Sequence, residues 1–140
     1  MRKFSKKEKL FMPNDRESLF ADDWFKKGKK DLERAKLRAQ ENDLEDAAFH
    51  LQQAIEKYRK GYLLSKGWAL QKIHDLEFLL DEALKYNPGL ERFRLLCQGA
   101  TGYYLAERYP FPIAEPKPEA IMENLADAEA LIEMLLEENI

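Results

Sequence analysis

Cysteine is almost missing from this sequence: Cys97 stands alone among 140 residues. A single thiol excludes an intramolecular disulfide and any metal cluster built on cysteines, and it suits a reducing cytoplasm. Histidine is nearly as scarce. His50 and His74 are the two present, and neither sits in a His-Glu-x-x-His pattern. A di-iron bundle needs a Glu-x-x-His from each of two helices, and the chain has none. Six glycines fall singly, so there is no P-loop and no dinucleotide fingerprint. No apolar run approaches the roughly 20 residues of a membrane span. Met1 to Lys9 is charged and has no apolar stretch, unlike a secretory signal. Positive charge is not in excess either. The net charge is −3, which argues against a general nucleic-acid coating role.

What is present is charge of both signs and helical periodicity. Charged residues make up 35% of the chain, as long solvated helices require. A chain of this length can hide roughly two-thirds of its unfolded surface, enough for one core. Two segments follow: a basic N-terminal arm over 1–21 and a helical domain over 22–140. Arg2, Lys3, Lys6, Lys7 and Lys9 make the arm basic, and Pro13-Asn14-Asp15 marks a turn in it. Leu10, Phe11, Leu19 and Phe20 are its candidates for docking on the domain.

The first helix is expected over Asp22–Gln40, with Asp22 or Asp23 accepting from its first N–H groups. Trp24, Gly28, Leu32, Ala35 and Ala39 form its inward face. Lys26, Lys27, Lys29 and Lys30 read as a solvated surface with Asp31 and Glu33 nearby, rather than as an anion patch. Asn42-Asp43 starts a second helix over Leu44–Ser65. Ala47, Ala48, Leu51, Ala54, Ile55, Tyr58 and Tyr62 face inward on it, small enough for a neighbour to approach closely. Gly67 closes this helix with a left-handed residue. A short helix over Asp75–Tyr86 is stopped by Asn87-Pro88-Gly89. A fourth helix runs over Leu90–Ala106, with Phe93, Leu96, Cys97, Ala100, Tyr103 and Tyr104 inward. The prolines of 110–118 then enforce an extended loop, and a fifth helix covers Glu119–Glu137. Short connections make antiparallel neighbours the simplest packing. The fold expected is all-α: an antiparallel up-and-down four-helix bundle with an additional short helix.

Polar residues interrupt this pattern in three places. His50, Gln53 and Lys57 are spaced three and four apart on the second helix and share one face with each other. They are either a wet helix surface, or a core edge of mutually satisfied groups, or the wall of a binding groove. His74-Asp75 opens the short helix, where Asp75 can cap and His74 can orient the turn. Arg108 ends the fourth helix, near Tyr104. It favours the negative end of the dipole there, and its fork could equally bind phosphate or carboxylate.

The order of these residues is familiar. Asp23-Trp24 and Asp31-Leu32 come first. Ala48-Phe49-His50-Leu51-Gln52-Gln53-Ala54-Ile55-Glu56-Lys57 follows, with Lys60 a turn later, then Ile73-His74-Asp75-Leu76, then Tyr104 and Arg108-Tyr109-Pro110. Over about residues 22 to 136 this order resembles the HEPN domain, and the Phe-His-x-Gln-Gln-Ala-x-Glu-Lys stretch is its most specific part. The resemblance implies a five-helix bundle, often a homodimer. It also implies a stand-alone protein of the kind encoded beside a minimal nucleotidyltransferase, in pairs regarded as toxin–antitoxin systems. Many relatives of that kind are ribonucleases with a histidine four to six residues after an arginine. Here those places beyond Arg108 hold Pro112, Ile113 and Ala114, and beyond Arg94 they hold Gln98, Gly99 and Ala100.

The expectation is therefore a non-catalytic module with no cofactor and no metal. It would bind a nucleotide, an RNA phosphate or a nucleotidyltransferase partner through His50, Gln53, Lys57, Tyr104 and Arg108, with His74 and Asp75 at the groove edge. Phe93, Tyr103 or Trp68 would contribute to a homodimer contact. The alternatives are a divergent ribonuclease pairing Arg108 with His50 or His74, and a purely structural homodimer whose groove is a packing seam.

Overall fold

The computed structural model describes residues 17–108 and 116–137, with side chains described up to residue 101 in the first stretch. Five α-helices and one 3-10 helix account for most of it, and no strand occurs among the described residues. In order they are α1 (Ala21–Gln40), α2 (Leu44–Ser65), α3 (Leu76–Leu84), a 3-10 turn (Pro88–Phe93), α4 (Arg94–Arg108) and α5 (Pro118–Glu137). α2 is central and packs on all four other α-helices. Tyr58 through Leu63 are buried without a break, because neighbours cover α2 on every side there.

The α1–α2 pair shows why small residues are needed. A Cβ at Gly61 would lie 2.6 Å from Phe25 Cε1 and 3.1 Å from the Ala21 carbonyl oxygen. A Cβ at Gly28 would lie 2.8 Å from Tyr58 Cδ2. The two glycines let the helices close until Phe25 stacks on Tyr58, ring centroids 5.8 Å apart. Burial and the Glu33 carboxylate push the Tyr58 hydroxyl above the ordinary phenol value. Ala47, Ala48, Leu51, Ala54 and Ile55 of α2 are buried, as are Leu76, Leu79, Leu80 and Ala83 of α3. α5 adds Ile121, Leu125, Ala128, Leu131, Ile132 and Leu135.

Local chemistry sets the ends of the helices. Asn42 and Gly67 take positive φ, 62° and 91°, just after α1 and α2. Asp43 caps α2, and the Asp75 carboxylate accepts from the N–H groups of Glu77 and Phe78. At α1 the outcome differs from expectation. The cap position is Phe20, without a side-chain bond, and Asp23 accepts instead from the Ser18 hydroxyl. Leu19 and Phe20 are largely exposed, so neither docks, while Leu10 and Phe11 lie outside the described residues.

The expected third and fourth helices also change at their junction. α3 ends at Leu84, and Asn87 caps a 3-10 turn through Gly89 N at 2.9 Å. Pro88 fits the first helical position because it has no N–H to lose. The α-helix proper begins at Arg94, whose guanidinium bonds Glu91, Asp81 and Glu77 and ties α4 to α3. Glu91, then Asp81 and Glu77, raise its pKa. Phe93 is core rather than interface: it is 4% exposed. Trp68 is half-buried and donates to Glu82, and the Tyr103 side chain lies outside the described residues.

Candidate functional site

Two buried carboxylates organise the polar residues of α2. The first is Asp31 of α1, 3% exposed. It faces α2 because it lies on the same helical face as Gly28 and Ala35. Its Oδ1 lies 2.8 Å from His50 Nδ1, and its other oxygen accepts from the Lys57 ammonium. A carboxylate accepts, which assigns the proton of this contact to Nδ1. Phe49 packs edge-on against the imidazole, centroids 5.4 Å apart. Nε2 of His50 lies 3.6 Å from Asp46, beyond hydrogen-bond distance, and that carboxylate accepts from Arg38 at 2.9 Å.

The second carboxylate is Glu56, 4% exposed. Gln52 Nε2 donates to Oε1 at 3.0 Å and Lys60 Nζ to Oε2 at 3.0 Å, each one helical turn away. His74 Nδ1 lies 2.9 and 3.0 Å from the two oxygens, which brings the segment leading into α3 onto α2. Gln53 donates to Gln52 at 2.7 Å and so extends the chain toward the surface. Lys60 also lies 5.4 Å from the centroid of the Trp24 ring, a cation–π contact from α2 to α1.

Arg59 is the exception. It is wholly buried, yet among the described residues it has no carboxylate partner. Nη1 is 3.5 Å from the Leu76 carbonyl and Nη2 is 3.5 Å from Cys97 Sγ, both long, and Nε has no partner. Among the described residues the seam thus carries Lys57, Arg59 and Lys60 against Asp31 and Glu56, one more cation than carboxylates.

His50 and Lys57 therefore share Asp31, whereas Gln53, through Gln52, and His74 belong to the Glu56 cluster. Asp75 is the cap of α3, its plainer reading. Tyr104 and Arg108 lie on α4, and their side chains are outside the described residues. The sequence reading left five members out of the site: Asp31, Gln52, Glu56, Arg59 and Lys60. Asp31 was grouped with the solvated lysines, although its spacing from Gly28 and Ala35 places it inward. Arg59 carried a weaker signal: it lies within a run whose neighbours, Tyr58 and Tyr62, are both core. Lys26, Lys27, Lys29 and Lys30 are exposed as expected. Among the described residues no group of histidine, cysteine and carboxylates could hold a metal ion, and no helix is long and apolar enough to cross a membrane.

The comparisons agree with this architecture. A family model described as the HEPN domain matches residues 21–139. The crystal structure of TT1696 from Thermus thermophilus is similar, with a TM-score of 0.74 at 24% identity. That likeness covers 84% of this chain and 96% of that one. The crystal structure of ST0689, an archaeal HEPN homologue, has a TM-score of 0.67 at 24% identity, covering 85% of this chain and 97% of that one. Among curated proteins none matches this chain significantly.

Proposed function

We propose that this chain, which belongs to the HEPN domain family, is a non-catalytic member that binds an anionic ligand, a nucleotide or RNA phosphate, beside the polar seam of α2. The observation that carries this reading is the surplus cation among the described residues of the seam. A buried guanidinium without a carboxylate is costly, and an anion within reach lowers that cost. Arg59 is that guanidinium, and its Nη2 points to Cys97 of α4. Positions 97, 101, 104 and 108 recur at helical spacing along α4, which puts Tyr104 and Arg108 on the face that begins at Cys97. Lys57, at the exposed end of the seam, supplies a further positive charge, with His50 and Gln53 beside it.

Catalysis has less support. Asp31 and Glu56 engage His50 and His74 through Nδ1, and no arginine has a histidine four to six residues after it. The family also suggests a minimal nucleotidyltransferase as partner, in a toxin–antitoxin-like pair, and a homodimer. For self-association α4 offers Leu95, 82% exposed, and open space beside Gly99.

Calorimetric titration with ATP and with a short RNA tests the reading, on wild type and on the Lys57→Ala/Arg108→Ala double variant. Wild type should bind without cutting RNA, and the variant should bind about tenfold or more weakly. Equal binding by both, or by neither, would leave the seam a purely structural feature. RNA cleavage abolished by His50→Ala would replace the reading with a divergent ribonuclease.

A further inference from the structure

The end of α1 and the first half of α5 leave an open groove of about 460 Å³. Ala39, Met122, Leu125 and Ala126 give it an apolar lining, and the ion pair of Lys36 with Glu129, at 2.6 Å, stands at it. Met122 is 61% exposed. An unbranched thioether adapts its shape to whatever apolar group arrives, so Met122 is suited to meet an incoming side chain.

The helix beside the groove is charged with one sign. α5 holds Glu119, Glu123, Asp127, Glu129, Glu133 and Glu137, and no lysine or arginine. All six acids are exposed, and among the described residues only Glu129 has a cation partner. Glu119, Glu123 and Asp127 follow one another at single turns, so like charges repel along the helix. Acids elsewhere on the surface are answered within the domain: Glu77, Asp81 and Glu91 by Arg94, and Asp46 by Arg38.

The opposite charge lies in residues 1–16, outside the described residues. Against Arg2, Lys3, Lys6, Lys7, Lys9 and Arg16 that stretch sets only Glu8 and Asp15. Phe4 stands among the basic residues, with Lys3 before it and Lys6 two places after. The length suffices as well. Extended chain from Phe4 to Glu17 reaches at most about 45 Å, and α1, which leads from there to the groove, is roughly 30 Å long.

We propose that the groove between α1 and α5 is the docking site of the chain's own basic arm, with Phe4 against Met122 and Ala126 and the neighbouring lysines against Glu119, Glu123 and Asp127. The apolar contact sets the register, and the charges relieve the repulsion along α5. Exposed charge pairs are screened, so docking weakens as salt rises. The contact is independent of the ligand reading above, since it uses neither the seam of α2 nor α4.

Zero-length cross-linking of the full chain tests this. A carbodiimide joins a lysine amine to a carboxylate as an amide, with loss of water, only where the two groups already touch. Lys36 and Glu129 supply the internal standard, because their amide reports a folded α1–α5 pair. At low salt, peptide mass spectrometry should find Lys3 or Lys6 joined to Glu119, Glu123 or Asp127, in a product with the mass of one chain. Phe4→Asp should lower the yield of these amides about fivefold or more, since it would bring a charge into an apolar groove, and leave the Lys36–Glu129 amide unchanged. Salt at about 0.5 M should lower the arm amides too. Arm lysines joined at comparable yield to acids all over the domain, or to none while the Lys36–Glu129 amide forms, would overturn the proposal. Arm amides unchanged by Phe4→Asp would reduce the contact to charge alone and overturn the groove as its site. Arm amides confined to a product of twice the mass would put a second copy's arm in the groove and overturn the assignment to the chain's own.

Discussion

Nδ1 of His50 lies 2.8 Å from Oδ1 of Asp31, and Lys57 holds the second oxygen of the same carboxylate. One buried acid from α1 therefore fixes two of the side chains that a face of α2 offers. Asp31→Ala should destabilise the domain by about 3–5 kcal/mol, since it removes the acceptor of the His50 N–H and the counter-charge of the Lys57 ammonium. Asp31→Asn, which keeps an acceptor, should cost less. Urea unfolding of the two variants checks the order; equal and small effects would show that solvent satisfies His50 and Lys57 unaided.

Two glycines should respond oppositely to the same added methyl group. Gly61→Ala places a Cβ against Phe25 and the Ala21 carbonyl, so α1 and α2 must part, at a cost of about 1–3 kcal/mol. Gly99→Ala meets nothing within 4 Å on the exposed side of α4. It should stabilise by up to about 1 kcal/mol, through helix propensity. Thermal unfolding of both variants against wild type decides.

Leu51 is wholly buried in the core cluster. Leu51→Ala should cost about 2–5 kcal/mol, the lost transfer of its side chain plus the cavity left behind. A cost below about 1 kcal/mol in urea titration would mean that the core collapses around the gap.

The Glu82 carboxyl is held below its ordinary value, first by the Lys85 ammonium at 2.9 Å and also by the Trp68 indole N–H at 3.1 Å. A depressed carboxyl stabilises the fold above its unfolded value, and that contribution fades as pH falls through the folded value. Glu82→Gln should therefore lower Tm near neutral pH. The gap to wild type should narrow in acid, as pH falls below the ordinary glutamate range and through the depressed folded value. A gap independent of pH would assign the role of Glu82 to packing.

The sequence by itself determined where the helices lie and which side of each faces inward. α2 spans Leu44–Ser65 as its periodicity requires, and Asp43, Gly67 and Asp75 act at its ends and at the start of α3 by chemistry local to each turn. The family was legible too, because its motif is a run of consecutive residues. The α3–α4 junction was less so: a proline after an asparagine reads as a stop, and here it also begins a 3-10 turn. Tertiary structure alone decided the pairings. His50 and Lys57 meet Asp31 from another helix, His74 reaches Glu56 across 18 residues, and Arg59 is buried with no carboxylate beside it among the described residues. Periodicity reports which face of a helix is covered, since that follows from 3.6 residues per turn. It does not report what covers it. Whether a charge inside that face is paired depends on atoms brought by a different helix, at a distance that the chain's own spacing does not encode.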